Sequence, residues 1–469
     1  MSGHKLTFPR LHAFIFLAAL AILALGPAAA PLGAATGAVH QLSTTPDWTA
    51  ESNQADSLFG SRVSTVGDVN GDGYDDVTVV AFRFDSPDID EGKAFLYLGS
   101  ATGLSTTPAW TVEGDQAGAQ LSAAAKAGDV NGDGFDDVIV GVGSYDGSEV
   151  DEGRALLYLG SAAGLSTTPS WVMEGNQAGA FYGGTVIGAG DVNSDGFADV
   201  LVGAAGFDNG QVDEGMVFLY HGSASGLSTT PDWTAESDQA GVIMSRGSGP
   251  GDLNGDGFDD VAVGCQFCDN GQNNEGRVFL FKGSSHGLRR RPFRILEIDA
   301  VDALFGNQLA GAGDINADGY DDLIVNAPQL GGGATPRVFV YMGDNNGPGP
   351  AADLVLQADP VGGQFGISLN TAGDVNADGF ADIIIGARTF QVTLPLQGRT
   401  YVYAGSATGL NPVPLQVFDG TQAGEESGVN VNTAGDVNGD GFADIIIGAH
   451  AYDNPESNEG RALVFHGGP

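Results

Sequence analysis

Basic residues are scarce in this sequence of 469 residues, which has 18 Lys and Arg against 59 Asp and Glu. Because binding to a nucleic acid requires a basic surface, the sequence predicts no nucleic acid partner. The chain is not of the disordered class either, since 42% of its residues are hydrophobic. Its formal charge of −41 is self-repelling in a compact fold, which predicts bound cations.

Cysteine is nearly absent, because the chain contains only Cys265 and Cys268. Two residues cannot build a disulfide framework. A zinc site would need further ligands, and the nearest histidine, His286, has no partner spaced for that role. The two cysteines are therefore a local disulfide or a free, redox-active pair, and export from the cell favours the disulfide.

Long apolar runs are also lacking, with one exception near the start of the chain. The 15-residue run from Leu11 to Leu25 follows Lys5 and Arg10 and precedes small residues. This pattern predicts a secretory signal peptide at residues 1–35, cleaved after about residue 30 to 35, and a short leader at residues 36–41. An uncleaved anchor is the alternative, although the run is shorter than the ~20 residues that span a bilayer.

The predicted mature chain carries 16 basic and 59 acidic residues, a formal charge of −43. No second segment has the length and apolarity of a membrane span. We therefore expect a protein that is secreted or held at the cell surface, with no transmembrane segment in the mature chain.

Catalytic patterns are missing as well. The seven histidines are scattered, and no nucleophile elbow, phosphate-binding loop or zinc signature occurs. The sequence thus predicts a protein that is not an enzyme, with no catalytic residues and no organic cofactor. Because carboxylates are abundant, a glycosidase-like pair of acids stays open as an alternative.

What the chain does contain is one nine-residue pattern, Asp-x-Asn-x-Asp-Gly-(Phe/Tyr)-x-Asp, in seven copies. Successive copies begin 60 to 62 residues apart. Such a spacing indicates a repeat architecture with one supersecondary unit per copy. The copies begin at Asp68, Asp129, Asp191, Asp252, Asp314, Asp374 and Asp436.

Each repeat contains four predicted strands and no helical periodicity. In the second copy the loop runs directly into Val138–Gly141, a continuous apolar stretch typical of a strand that is covered on both faces. Turns rich in Gly and Asp separate it from the next strand. Four-stranded sheets repeated radially form a propeller, so we predict an all-β fold, a seven-bladed β-propeller of four-stranded antiparallel blades at residues 42–469.

The two ends of the chain predict how this ring closes. Leu42–Trp48 matches three segments that lead into an outer strand: Leu104–Trp110, Leu165–Trp171 and Leu227–Trp233. The last segment, Arg461–His466, is a third strand with no fourth strand after it. The N-terminal strand is therefore expected to complete the final blade, which removes a free pairing edge.

The chain resembles the FG-GAP repeat family, the seven-bladed propeller of integrin α-subunit heads and many exported bacterial proteins. Phe59-Gly60, Phe305-Gly306 and Phe365-Gly366 match the first half of the motif, and Val202–Ala205 and Ile385–Ala387 match the second. Local departures replace Phe-Gly in three copies and Gly-Ala-Pro in one, at Ala119-Gln120, Met244-Ser245, Ser427-Gly428 and Asn326–Pro328. The resemblance implies a short calcium loop and a role in adhesion or protein recognition.

The residues of the nine-residue loops support calcium on their own. Side-chain oxygens at positions 1, 3 and 5, the backbone carbonyl at position 7 and Asp at position 9 offer the oxygen ligands that Ca²⁺ takes, while Mg²⁺ fits less well. An EF-hand is excluded because position 12 is Val or Ile in every copy. The alternative is that these strings are hairpin turns without metal.

We predict up to seven structural Ca²⁺ ions on one rim of the propeller. The predicted ligands are Asp68, Asn70, Asp72, Tyr74 and Asp76; Asp129, Asn131, Asp133, Phe135 and Asp137; Asp191, Asn193, Asp195, Phe197 and Asp199; Asp252, Asn254, Asp256, Phe258 and Asp260; Asp314, Asn316, Asp318, Tyr320 and Asp322; Asp374, Asn376, Asp378, Phe380 and Asp382; and Asp436, Asn438, Asp440, Phe442 and Asp444.

The turns between second and third strands are expected on the opposite rim, and most are acidic. These turns have two interpretations: they are polar turns that keep the protein in solution, or they form the surface that binds a partner. Copies five and six diverge from the acidic pattern, at Gly331–Thr335 and Gln391–Pro395. The acidic turns are Asp85–Glu91, Asp146–Glu152, Asp208–Glu214, Asp269–Glu275 and Asp453–Glu459. The central channel is expected to be lined by small apolar residues such as Ala123–Ala125.

Two further clusters have two interpretations each. Trp48, Trp110, Trp171 and Trp233 share one outer-strand position, which favours packing between blades over sugar stacking. The basic cluster at Arg289, Arg290, Arg291 and Arg294 is a solvated edge or a docking patch for an acidic partner or a second copy.

The sequence as a whole predicts a secreted, calcium-binding propeller that acts as a non-catalytic adhesion or protein-recognition module at or outside the cell surface. Its partner would be an extracellular protein or glycan. The alternatives are a carbohydrate-binding or carbohydrate-cleaving propeller and a structural component of an extracellular matrix.

Overall fold

The computed structural model describes residues 42–330, 335–358 and 363–468. The predicted signal peptide and leader lie outside these residues, as does most of the turn Gly331–Thr335, so those sequence-based predictions stay predictions. Within the described residues no helix has the length and apolarity to cross a bilayer.

The described residues form 28 strands in seven four-stranded sheets, here called blades. Strand β1 (Trp48–Glu51) comes first in the chain and belongs to the seventh blade. The first blade comprises β2 (Phe59–Gly67), β3 (Asp76–Ala81), β4 (Lys93–Tyr97) and β5 (Trp110–Glu113), and the second comprises β6 (Leu121–Gly128), β7 (Asp137–Val142), β8 (Arg154–Tyr158) and β9 (Trp171–Glu174).

The third blade comprises β10 (Tyr182–Gly190), β11 (Asp199–Ala204), β12 (Met216–Tyr220) and β13 (Trp233–Glu236), and the fourth comprises β14 (Arg246–Gly251), β15 (Asp260–Cys265), β16 (Arg277–Phe281) and β17 (Arg294–Glu297). The fifth comprises β18 (Leu309–Gly313), β19 (Asp322–Ala327), β20 (Arg337–Tyr341) and β21 (Leu354–Leu356). The sixth comprises β22 (Ser368–Gly373), β23 (Asp382–Ala387), β24 (Arg399–Tyr403) and β25 (Gln416–Asp419), and the seventh comprises β26 (Asn430–Gly435), β27 (Asp444–Ala449), β28 (Arg461–Phe465) and β1.

Each blade is antiparallel, and its first strand faces the central axis. The first strands of successive blades contact one another in a closed ring, from β2 through β6 and onward to β26 and back to β2. The all-β, seven-bladed propeller with four-stranded blades that the sequence predicted is therefore confirmed.

The hydrophobic core lies between blades. Every residue of the second strands is buried, as in β7, because both faces of the sheet are covered by neighbouring blades. One such core joins Leu96 of the first blade to Val140 and Leu156 of the second. No blade thus buries its apolar residues alone, which explains why the unit is repeated around a ring.

The ring closes between the two ends of the chain. Strand β1 pairs antiparallel with β28, with Trp48 opposite Val464 and Glu51 opposite Arg461. The seventh blade therefore takes three strands from the C-terminal end and one from the N-terminal end, as predicted.

The four tryptophans pack between blades, which confirms the favoured interpretation. Trp110 is 8% exposed, and its ring meets that of Tyr158 in the next blade edge-on at 4.9 Å. Its indole N–H donates to the carbonyl of Ser166 at 3.0 Å. Trp48, Trp171 and Trp233 make the equivalent contacts, so none of the four offers a free face to a sugar.

The cysteines and the basic cluster both lie in the fourth blade. Cys265, the last residue of β15, forms a disulfide with Cys268 in the turn that follows, and both are buried. Arg289, Arg290 and Arg291 are exposed at the outer edge, just before β17. The structure therefore resolves the cysteine alternatives in favour of the disulfide, while the exposure of the arginines fits both a solvated edge and a docking patch.

Candidate metal loops, rims and channel

The carboxylate at position 1 organises each nine-residue loop. In the second loop, Asp129 Oδ1 accepts hydrogen bonds from the amides of Gly132 and Asp133 at 2.7 and 3.1 Å, and Oδ2 accepts from Gly134 at 2.8 Å. The amides at positions 5 and 6 donate to position 1 in all seven loops. The loops therefore share one turn geometry, with the side chains of positions 1, 3 and 5 close together.

The carboxylate at position 9 anchors the loop to its blade. Asp137 is fully buried, accepts from the amide of Val130 at 3.0 Å and accepts from the amide of Gly160, after β8, at 2.8 Å. Burial raises the pKa of Asp137 to about 7, and the charges of Asp133 and Asp129 add to this shift. The role of this position as a metal ligand stays a prediction, and the sequence missed its role as the link between the loop and the third strand.

These loops fit a hard cation by their chemistry. Each contains, within nine residues, three carboxylates, an amide oxygen and a backbone carbonyl. In the described part of the chain, no Lys or Arg forms an ion pair with the acids at positions 1, 5 or 9. No group of three or more His, Cys, Asp or Glu side chains there meets the geometry of a metal site, and the oxygens of positions 1 and 9 accept amide hydrogen bonds instead.

The fourth loop differs from the other six. Its Asn254 is 5% exposed and donates from Nδ2 to Oδ2 of Asp260 at 2.7 Å. The Oδ1 of Asn254 accepts from the ammonium of Lys282 at 2.9 Å. In the other loops the corresponding Asn oxygen accepts from the amide at position 5 at 2.8 to 3.0 Å. The fourth loop therefore holds a cationic side chain at the Asn oxygen, where the other six loops have a backbone amide.

The loops also join neighbouring blades. The amide of Asp136 in the second loop donates to the carbonyl of Asp68 in the first at 3.2 Å. The equivalent bond, from position 8 to position 1 of the preceding loop, is present at all seven junctions, at 3.0 to 3.4 Å. The ring of Phe135 lies against Gly71 of the first loop, where an added Cβ would come within 2.6 Å of it. A change in the conformation of one loop therefore alters the contacts between two neighbouring blades.

The turns on the opposite rim have a buried frame. Glu91 is 1% exposed, and its Oε1 accepts from the amides of Ser86 and Asp88 at 2.7 and 3.2 Å. The side chain of Gln54, which follows the preceding blade, bonds both the carbonyl and the amide of Asp85 at 3.0 and 2.7 Å. Four more junctions repeat the Gln contact, at Gln116, Gln177, Gln239 and Gln422. Some acidic residues on this rim, such as Glu91, therefore stabilise the conformation of the turns.

Apolar side chains stand out at the tips of three of these turns. Ile89, Val150 and Val212 occupy equivalent positions in the first, second and third blades and are 69%, 64% and 64% exposed. The fourth and seventh blades have Asn273 and Ser457 at this position. Sequence reasoning missed this stripe, although the aligned turns contain the signal.

The central channel is more polar and more basic than expected. The prediction of a small apolar lining holds for the second blade, at Ala123–Ala125, but is wrong for the channel as a whole. Arg62, Arg246 and Asn432 line the same cavity of about 410 Å³. The sequence-based prediction took one blade as the type for all seven.

Comparison with known proteins supports the assignment of the repeats. The FG-GAP repeat family matches six segments, one in each blade from the second to the seventh: residues 122–158, 183–220, 246–281, 305–341, 365–403 and 429–465. Among solved structures, BBS1N in complex with ARL6DN is similar with a TM-score of 0.51 and 10% identity over 90% of this chain and 96% of that chain, which supports the fold alone.

The curated relatives include integrin α subunits. Integrin alpha-8 of Homo sapiens is 35% identical over 176 residues, which are 36% of this chain and 16% of that protein. Integrin alpha-5 of Xenopus laevis is 28% identical over 253 residues, which are 51% of this chain and 23% of that protein. The matched regions therefore span less than a quarter of the length of these relatives. With six matched repeats in a seven-bladed ring, the chain is an FG-GAP repeat protein with an integrin α-like propeller.

Proposed function

We propose that this protein is a secreted, calcium-stabilised propeller that recognises a protein ligand at or outside the cell surface, without catalysis. Adhesion or protein recognition is the function that an integrin α-like FG-GAP propeller suggests. We assign recognition to the rim opposite the nine-residue loops, and a structural role to the loops themselves.

The exposed apolar stripe on that rim is the observation that carries the proposal. Ile89, Val150 and Val212 lie on three consecutive blades, and each is more than 60% exposed. The turns beneath them are held by buried glutamates such as Glu152, whose Oε1 accepts from Ser148 at 2.6 Å. Exposed apolar side chains on a rigid, otherwise polar surface are typical of a protein-binding site.

The calcium part of the proposal is supported by the position of the loops at blade junctions. Binding of Ca²⁺ to the folded loops alone would stabilise the ring by mass action and would offset the repulsion among their carboxylates. Asp129, Asn131, Asp133, the carbonyl of Phe135 and Asp137 would hold the ion in the second loop. The fourth loop, with Lys282 on Asn254, does not fit an ion in the same way.

The rim is tested by giving the three turns the residues that other blades have. The variant Ile89→Ser, Val150→Asn, Val212→Asn removes the apolar stripe and leaves the buried frame unchanged. We expect it to lose binding to extracellular proteins of the native surroundings in a pull-down, relative to the unmodified propeller. The matched control is Val413→Asn, since Val413 is equally exposed at 66% but lies in the turn before β25.

A glycan array run beside the pull-down separates the proposal from its alternative. Protein partners that are lost only in the triple variant support the rim. Glycan binding that the triple variant retains contradicts recognition of a protein by this rim and favours the carbohydrate-binding alternative. A melting temperature equal to that of the unmodified protein shows that the variant is folded.

A further inference from the structure

The strands that surround the central channel have a charge opposite to that of the rest of the protein. The seven first strands, β2, β6, β10, β14, β18, β22 and β26, contain three basic residues and no acidic residue. The whole chain, in contrast, has more than three acidic residues for each basic one. An anion in the channel therefore meets no acidic side chain from the strands that surround it.

Two of the three basic residues occupy the same level of the channel. Arg62 and Arg246 each lie six residues before the start of their loop, at Asp68 and Asp252. The equivalent residues in the other blades are neutral and mostly polar: Ala123, Thr185, Gln308, Ser368 and Asn430. This level thus forms a ring of hydrogen-bonding groups with two guanidinium groups, contributed by blades one and four.

Neither arginine has an acidic partner. Within the described residues, Arg62 donates from Nη1 to the carbonyl of Ser61 at 2.9 Å, and the side chain of Arg246 has no hydrogen-bond or ion-pair partner. The third basic residue, Lys126, pairs with Asp136 at 3.0 Å. The side chain of Arg62 is exposed to the channel, and desolvation by the surrounding strands still lowers its pKa to about 10, with a further contribution from the charges of Arg246 and Arg388.

One more arginine, Arg388, is near enough for its charge to act on Arg62, but it is engaged. Arg388 bonds Gln364 at 2.6 Å and lies 3.9 Å from Glu426, which in turn bonds His450 at 3.2 Å. Glu426 therefore has its own cationic neighbours and is not the missing partner of Arg62 or Arg246. Apart from the bond of Arg62 to Ser61, the donors of the two channel arginines stay available to a molecule that enters.

We propose that the central channel binds a small dianion, a dicarboxylate or an oxyanion of the sulfate type, through Arg62 and Arg246. The cavity of about 410 Å³ that both arginines line suits a small molecule. Guanidinium groups bind carboxylate and sulfate-type oxygens through paired charge-assisted hydrogen bonds. Asn370 and Asn432 in the same lining supply neutral donors and acceptors for the remaining oxygens.

Isothermal titration of the calcium-loaded, full-length mature protein tests the proposal. Sodium sulfate and sodium succinate serve as probes at constant ionic strength, because phosphate and citrate would compete for Ca²⁺. Saturation by sulfate alone assigns a sulfate-type ligand, and saturation by succinate alone assigns a carboxylate ligand. Absence of saturable binding by both probes overturns the proposal.

Variants decide whether the binding is in the channel. We expect Arg62→Gln and Arg246→Gln each to weaken the affinity for the bound probe by about tenfold or more. Arg290→Gln removes the same charge from the exposed outer edge and should leave the affinity unchanged. Equal weakening in all three variants would show general screening and overturn the assignment. Melting temperatures confirm folding, and Arg62→Lys, which keeps the charge but not the planar fork, should bind with intermediate affinity.

Discussion

The loop of the fourth blade and the loops of the other six blades share one nine-residue pattern, yet their contacts differ. In the second loop, Asn131 Oδ1 accepts from the amide of Asp133 at 2.9 Å. In the fourth loop, Asn254 turns inward to Asp260 at 2.7 Å and accepts from Lys282 at 2.9 Å. The difference arises outside the nine-residue pattern. The residue equivalent to Lys282 in the other six blades is Leu, His, Met or Ala.

A lysine beside a cluster of acids supplies part of the positive charge that the cluster needs. The ammonium of Lys282 brings its own positive charge to the fourth loop, and its position over the ring of Phe293, 5.0 Å from the centroid, holds it there. A metal ion entering this loop would have to displace Lys282 from the Asn254 oxygen. Under the calcium proposal, six loops would rely on an external cation, while the fourth loop is neutralised in part by Lys282.

The largest expected effect is that of calcium removal on the six loops together. We expect EDTA to lower the melting temperature by about 10 °C or more, because six cross-links at blade junctions lose their ligand at once. Differential scanning calorimetry with and without EDTA measures this shift. EDTA saturated with Ca²⁺ beforehand is the control, and an unchanged transition would contradict the metal assignment.

A smaller effect should distinguish one loop from another. Asp133→Ala in the second loop is expected to cost about 1–3 kcal/mol of stability in Ca²⁺, since it removes a ligand and the acceptor for the amide of Phe135. Asp256→Ala, at the same position of the fourth loop, should cost less than about 1 kcal/mol. Urea unfolding in Ca²⁺ measures both. Equal losses would mean that the fourth loop binds Ca²⁺ like the rest.

The number of bound ions should depend on Lys282. We expect the native protein to bind six Ca²⁺ tightly and Lys282→Met to bind seven, because Met342 occupies the equivalent position in the fifth blade. Equilibrium dialysis with elemental analysis gives the stoichiometry. Lys93→Met is the matched control, since Lys93 pairs with Glu113 on the opposite rim at 2.7 Å. Seven bound ions in the native protein would contradict the predicted difference between the fourth loop and the other six.

The smallest expected effect is the stability change of Lys282→Met without calcium. The variant loses a charge-assisted hydrogen bond to Asn254 and a cation–π contact with Phe293, so we expect a loss of about 1 kcal/mol in EDTA. In Ca²⁺ the gain of a seventh ion should offset this loss. Chemical unfolding in the two conditions checks the reversal, and a loss of the same size in both would contradict it.

The sequence predicted most of the fold because its signals are local and repeated. The apolar stretch of β7, the turns around it and the loop before it lie within one repeat, and seven copies confirm each other. The ring closure was also predictable, since Trp48 stands in a segment that matches three others. The burial of Glu91 and the exposure of Ile89 in one acidic turn were not, because both depend on how the turn folds around the Glu91 carboxylate and bonds the segment that leads into the next blade.

The sequence by itself therefore determined the period, the strands and the oxygen-rich loops, because each follows from residues that are close in the chain. Only the tertiary structure decided which loop accepts a hydrogen bond from a lysine and which arginines line the same cavity. Lys282 lies 22 residues beyond Asp260, and Arg62 and Arg246 lie 184 residues apart on different blades. Closure of the ring places such distant side chains around one axis, where the charges of neighbouring blades act on each other.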